Sequence, residues 1–185
     1  SPLRPLGQRD YDMASEAVEQ GVARHLAWLV RDKASNIKTT SLLFLKRPGR
    51  PALAGPDAPR GYFQSISGLE GHIRVISGAL PKGGPSLIPG GVESENAPLI
   101  EAVLGSHLAR LLRLEPGDVL LLLPEPRNPS RQIGVRIAAI AEPVDPQEEY
   151  WMGNGDLFEP QGSPEGPVIV PFLVNRDSLV QGVGN

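Results

Sequence analysis

Cysteine is absent from the 185-residue chain, which rules out disulfides and thiolate-held zinc or iron–sulfur sites. The redox compartment stays open, because an oxidising compartment permits disulfides without requiring them. Histidine is scarce: His25, His72 and His107 stand apart, in no His-Glu-x-x-His pattern and no two within a helical turn. All three read as structural or solvent-facing. Lysine is limited to Lys33, Lys38, Lys46 and Lys82, the other basic residues being arginines, an imbalance that reads as coding bias. A formal net charge of −3 offers no basic stripe for phosphates, so no nucleic-acid partner is expected. Long apolar runs are also missing. The longest, such as Val119–Leu123, are five residues, against the ~20 of a membrane-spanning helix. The opening "SPLRPLGQRD" has no initiator methionine, apolar signal region or cleavage-site pattern. That start suits a processed chain or a segment excised from a larger protein.

What the chain does have is punctuation, with 20 prolines and 21 glycines. They mark 48–60, 81–98 and 143–167 as loops, the last with a helical turn around Gln147 to Trp151, and 48–60 and the proline-broken 1–10 are expected to be flexible. A length near that of one domain makes 1–185 a single unit, able to bury roughly 70% of its unfolded surface without staples. Between the loops, Ala14, Val18, Val22, Leu26 and Leu29 recur at helical spacing and predict a helix over about 12–31. Strands are predicted at 37–46, 62–66, 73–78 and 99–104, the last leading into a helix over 106–113 with Ser106 as its N-cap. A helical turn is expected at "SGLEGH", capped by Ser67. "VLLLLP" and "RQIGVRIAAIAEPV" alternate across a short polar link and predict an antiparallel hairpin. "PVIVPFLVN" is a last strand, and a short helix begins near Asp177 or Ser178. Strands that follow one another rather than alternating with helices indicate α+β: a mixed or antiparallel sheet, with a long N-terminal helix and a short helix packed on it.

Chemistry-bearing patterns are few. "LGSHLA" has a serine at a strand-to-helix turn but lacks the second glycine of a nucleophile elbow. The glycine pairs at 83–84 and 90–91 lack the Gly-Lys-Ser/Thr of a phosphate loop. No catalytic, cofactor-binding or metal-ligating residue is assigned, and no cofactor is implied. Two features stand out. "LEPGD" is a tight turn in which Gly117 takes positive φ and Asp118 starts the next strand. "EEYWMGNGDLF" groups Tyr150, Trp151, Met152, Leu157 and Phe158 around a turn signal. Those five either fold back onto the core or form an apolar contact surface for a partner, and the sequence leaves both open.

Taken in order, "HIRVISGALP", "LIEAVLGSHLARLLRLEPGDVLLLLPE" and "RQIGVRIAAIAEPVDP" resemble the MacB-like periplasmic core domain of FtsX-like ABC transporter permeases. The resemblance rests on Gly78 to Pro81 after a strand and on Leu108, Ala109 and Leu112 in a short helix. Leu114, Gly117 and Asp118 at the turn and Val135 to Ile140 in the returning strand complete it. It is good over about 73–145 and loose elsewhere, and the loops at 48–60 and 143–167 depart from the pattern. It implies a non-enzymatic extracytoplasmic lobe between two transmembrane helices, at the cell membrane and facing the periplasm or the exterior. The expected partners are a separate cytoplasmic ABC ATPase subunit, a second permease copy or paralogue, and an extracytoplasmic partner protein or substrate. Such domains serve export or release of lipoproteins, peptides, drugs or lipids. The alternatives are a free-standing soluble α+β ligand-binding protein or hydrolase with an unobvious site, and a swapped-hairpin DNA-binding domain, which the acidic balance disfavours.

Overall fold

The computed structural model describes residues 8–25, 35–39, 43–48, 57–83, 86–87, 98–123, 132–162 and 166–183. Its strands are β1 (Asn36–Lys38), β2 (Leu43–Lys46), β3 (Arg60–Ile66), β4 (Ile73–Gly78), β5 (Ser86–Leu87), β6 (Pro98–Gly105), β7 (Val119–Leu123), β8 (Ile133–Pro143) and β9 (Ile169–Val174). Helices α1 (Gln8–His25), α2 (Ser106–Leu112) and α3 (Arg176–Val183) accompany them. The fold is α+β, as the run of consecutive strands predicts, and its sheet is mixed.

Alternation in the strands explains how the sheet closes. Along β6, Ile100, Ala102 and Leu104 share one face; along β8, Val135 and Ile137 do, and along β9, Val170, Phe172 and Val174. These residues are buried in one cluster with Leu43, Leu45, Phe63, Leu120 and Leu122. Their strands pair in a ring: β8 with β7, β7 with β2, β2 with β3, β3 with β9, β9 with β6, and β6 back to β8. β3–β9 and β6–β8 are parallel and the other four antiparallel. Closure removes the free edges of those six strands and fills the middle with aliphatic side chains and Phe63 and Phe172. Each fully buried Leu, Ile or Phe contributes about 1.5–3 kcal/mol of transfer free energy. The interior is therefore a packed core.

The long strand β8 serves two partners along one edge, β7 over residues 133–136 and β4 over 139–143. A register shift on the β6 side passes over Ala138, and the Ala138 carbonyl meets Gly78, where a Cβ would stand 2.1 Å from it. Gly78 also has φ +81°, so only glycine ends β4 here without strain. β1 pairs β3 beyond the barrel rim, so the single strand expected at 37–46 is two strands, with 40–42 outside the described residues.

α1 departs from expectation. It starts at Gln8 rather than near 12, inside the stretch expected to be flexible. Little of its expected stripe packs: Ala14 is exposed, Val18 is 65% exposed and Val22 is half-buried, while Leu26 and Leu29 lie outside the described residues. The reason is placement, for α1 leans on α3, with the Arg176 guanidinium 5.5 Å over the Tyr11 ring. α3 itself is anchored by buried Ser178, Leu179 and Val180. In the loop expected at 143–167 the helical turn expected around Gln147 to Trp151 is present as a 3-10 turn at Glu149–Trp151, and a second turn at Gly155–Phe158 and a bridge from Gln161 to Ile169 go beyond that expectation. Most of 81–98 lies outside the described residues, apart from 81–83, β5 and the start of β6.

Candidate functional site

The aromatic segment forms a second, smaller core on the outside of the barrel. Trp151, Leu157 and Phe158 are buried with Ile66, Ile73, Val103, Ala139, Ala141 and Leu173. Those six partners lie on β3, β4, β6, β8 and β9, so the segment lies across the barrel wall. Trp151 meets Phe158 edge to face at 5.4 Å and Tyr150 at 4.8 Å, and its indole N–H donates to the Asp145 carbonyl at 2.7 Å. Of the five residues singled out in the sequence, three are therefore inside. Met152 is 52% exposed in a left-handed conformation, φ 49°, and Tyr150 is half-buried. Only these two present surface to a partner.

Sequence reasoning missed what fastens the segment. The His72 ring stacks on Tyr150 at 3.5 Å and 8°, and its Nδ1 donates to Glu148 Oε2 at 2.9 Å. The His72 carbonyl accepts from the Val144 amide, and the Tyr150 hydroxyl donates to the Ser67 carbonyl. Burial first, then the nearby charges of Glu70 and Glu148, push the Tyr150 phenol up to about 12. The phenol thus stays protonated as a donor at neutral pH. These partners sit far apart in sequence, and no local signal marks them.

Gly105 fixes the other end. A Cβ there would stand 2.1 Å from the Phe158 carbonyl, so the segment's backbone lies against the start of α2. This corrects the expected cap: Gly105 is the N-cap of α2, and Ser106 instead donates its hydroxyl to Glu142 Oε1 at 2.7 Å. Ser67 likewise does not cap the 69–71 turn. Gly68, at φ +76°, precedes it, and the Ser67 hydroxyl accepts from the Ser35 amide. Glu142 also accepts from Arg74 at 3.0 Å. The Ser106 hydroxyl, then Arg74, hold its carboxyl below the usual range.

The expected turn is present. Gly117 has φ +99°, the Asp118 amide donates to the Glu115 carbonyl at 3.1 Å, and Asp118 Oδ2 accepts from the Glu115 amide, as in a type II turn with proline second. Gly117 and Asp118 also exchange backbone hydrogen bonds with Ile137, which welds the turn to β8. Upstream, α2 ends with Arg113 left-handed and the Leu114 amide donating to the Ala109 carbonyl, a Schellman-type close. One Arg47 nitrogen donates to the Leu112 and Arg113 carbonyls.

Between α2 and β4 runs an open groove of about 850 Å³, floored by Ile76, Ala109, Leu114 and Ile140. Arg47, Arg110, Arg113, Glu115, Asp118 and Glu142 border it. Elsewhere His107 pairs with Glu159 at 2.5 Å, both exposed. Among the described residues, no three histidine, aspartate or glutamate side chains converge as a metal site, and no helix is long and apolar enough to cross a membrane. The chain matches no protein-family model, and no curated protein or solved structure shows significant similarity to it.

Proposed function

We propose that this chain is the extracytoplasmic domain of an ABC transporter permease subunit. It is a non-catalytic lobe coupling ATP hydrolysis by a separate cytoplasmic subunit to the export or release of a substrate, or to a partner protein. The observation that carries this reading is the contact between α1 and α3, where Tyr11 lies under Arg176. A lobe inserted between two membrane helices has to take its chain in and return it on one side, and adjacent first and last helices meet that demand. The ordered residues behind the resemblance add support, since β4, β6, α2, the Gly117 turn, β7 and β8 form one continuous wall. On this reading the segment sits at the cell membrane on its outer side, and a second permease copy or paralogue completes the transporter.

The test is to read the coding DNA in frame on both sides of the segment. Apolar stretches of roughly twenty residues on both flanks are the expected result, and a start and a stop codon at the two ends would sink the reading. The groove along α2, with its convergent arginines and carboxylates, favours a second one, a free-standing ligand-binding protein or hydrolase. Start and stop codons at the ends would turn attention to it.

A further inference from the structure

Of the chain's asparagines, only Asn154 precedes a glycine. That pair has a chemistry of its own, because a nitrogen whose residue has no side chain is free to attack the asparagine side-chain carbonyl carbon. Among the described residues no hydrogen bond engages the Gly155 amide, as is usual for the first residue of a helical turn. The fold also keeps the glycine, since a Cβ at Gly155 would stand 2.2 Å from the Pro146 carbonyl oxygen.

In the closed aromatic layer the two reacting atoms are held apart. The Asn154 Nδ2 donates back to the Trp151 carbonyl at 3.1 Å and to the Met152 carbonyl at 3.4 Å. With ψ of Asn154 at 36°, the Gly155 nitrogen lies across the Cα–C bond from the side chain. Ring closure requires that bond to turn until nitrogen and Cβ eclipse. The same rotation swings the Asn154 carbonyl off the Leu157 amide, its donor at 3.2 Å, and takes apart the turn that buries Leu157 and Phe158. Reaction and opening are therefore one motion. The turn is also held under tension, for Met152 is left-handed at φ 49°.

We propose that Asn154 and Gly155 form a self-modification site that reacts only when the aromatic layer opens, and that the reaction makes the opening permanent. In the opened turn the Gly155 nitrogen loses its proton and bonds to Asn154 Cγ. The bond from Cγ to Nδ2 breaks, and ammonia leaves with that proton. Water then opens the cyclic imide. Scission at Cγ leaves aspartate, and scission at the main-chain carbonyl leaves isoaspartate, whose backbone runs through Cβ and Cγ. Both products lose the Nδ2 donors. Aspartate sets a carboxylate against the Trp151 and Met152 carbonyls, and isoaspartate lengthens the chain where Gly155 is pressed on Pro146. The proposal stands on the aromatic layer and does not depend on the transporter reading.

Ageing the 185-residue protein at neutral and mildly alkaline pH, folded and in denaturant, tests it. Digests made in mild acid are read by mass spectrometry, with isoaspartate-specific methylation to separate the two products. The folded chain should convert at Asn154 and not at Asn36 or Asn175, faster as pH rises. It should react at least about tenfold more slowly than the denatured chain, because only the open fraction reacts. Gly105→Ala, checked for folding by circular dichroism, should move the folded rate at least about threefold toward the denatured one. Asn154→Asp reproduces one product without ageing. In it the amides of Trp151 and Leu157 should lose hydrogen-exchange protection while β6 and β8 keep theirs. The proposal is overturned if the folded chain does not convert, if folded and denatured rates match, or if a folded Gly105→Ala variant reacts no faster. It is also overturned if Asn154→Asp keeps native protection at Trp151 and Leu157.

Discussion

The inside of the barrel and the aromatic layer on its outside are both buried, yet they are held by different means. Within the barrel, Ile100, Leu122, Val135, Val170 and Phe172 are almost wholly inaccessible to solvent and meet across a ring of paired strands. Their cohesion comes from area and packing density, which direction hardly affects. The outer layer has a single tryptophan at its centre and depends on directed contacts. Trp151 donates to Asp145, Tyr150 to Ser67 and His72 to Glu148, while Gly105 and Gly155 let backbones approach where a Cβ would be 2.1–2.2 Å from a carbonyl oxygen. The barrel should tolerate lost hydrogen bonds at its rim and resist lost volume, and the aromatic layer should do the reverse.

Substitutions can break or sharpen that contrast. The largest effect is expected from Phe172→Ala, which empties the barrel's centre and should cost about 3–5 kcal/mol in denaturant unfolding, lowering the stability of both regions together. Gly105→Ala should cost less, about 2–3 kcal/mol. Its φ of −64° suits alanine, so the whole cost comes from the clash with Phe158. In a Trp28→Phe background, which leaves Trp151 as the sole tryptophan, fluorescence should report a loosened outer layer while far-ultraviolet circular dichroism keeps the barrel signal. Loss of both signals together would erase the distinction.

Tyr150→Phe should cost about 1 kcal/mol at neutral pH, the worth of one hydrogen bond. It should also change the alkaline behaviour. A phenol raised to about 12 when folded and near 10 when unfolded keeps its proton longer in the native state. Its contribution is complete below about pH 10 and is lost as pH rises toward about 12. Melting temperatures of the phenylalanine variant should fall less steeply over that window, and an unchanged slope would contradict a phenol raised by burial beside Glu70 and Glu148. Smallest is Glu142→Gln at the edge of the groove. The Glu142 carboxyl is depressed in the folded state, so its contribution is present above the ordinary carboxylate range and is lost as pH falls through and below it. The glutamine variant should show a shallower loss of stability in acid, measured by thermal melts from neutral pH downward.

How much of this was legible varied with the range of the interaction involved. The β7–β8 hairpin, β6 with the short helix after it, and the Gly117 turn could be read from alternation, punctuation and one proline–glycine pair, all of them local signals. Alternation tells which residues share a face but not which strand lies alongside, so the parallel β3–β9 and β6–β8 pairings that close the barrel had no sequence signature. Ser106 looked like a cap because serine suits that position. Gly105 took it because only glycine fits against Phe158, a contact set by distant chain. The stripe on α1 is genuine as a pattern, but Ala14 and Val18 face solvent and only Val22 of its described part is half-buried, because the helix leans on α3. Tyr150, Trp151, Met152, Leu157 and Phe158 suit a fold back onto the core and also an apolar contact surface. The acceptors at Asp145 and Ser67 and the stacked ring of His72 hold Trp151 inside, and none of these can be located from the sequence.

Amide hydrogen exchange measured residue by residue under native conditions tests the division most directly. The account predicts that amides of β6, β8 and β9 exchange only through global unfolding, while those of Trp151, Asn154 and Leu157, bonded within their own turns, exchange through a lower-energy opening that leaves the barrel closed. A single free energy shared by both sets, or faster exchange in β6 and β8 than in the aromatic segment, would contradict a closed barrel carrying a separately fastened layer.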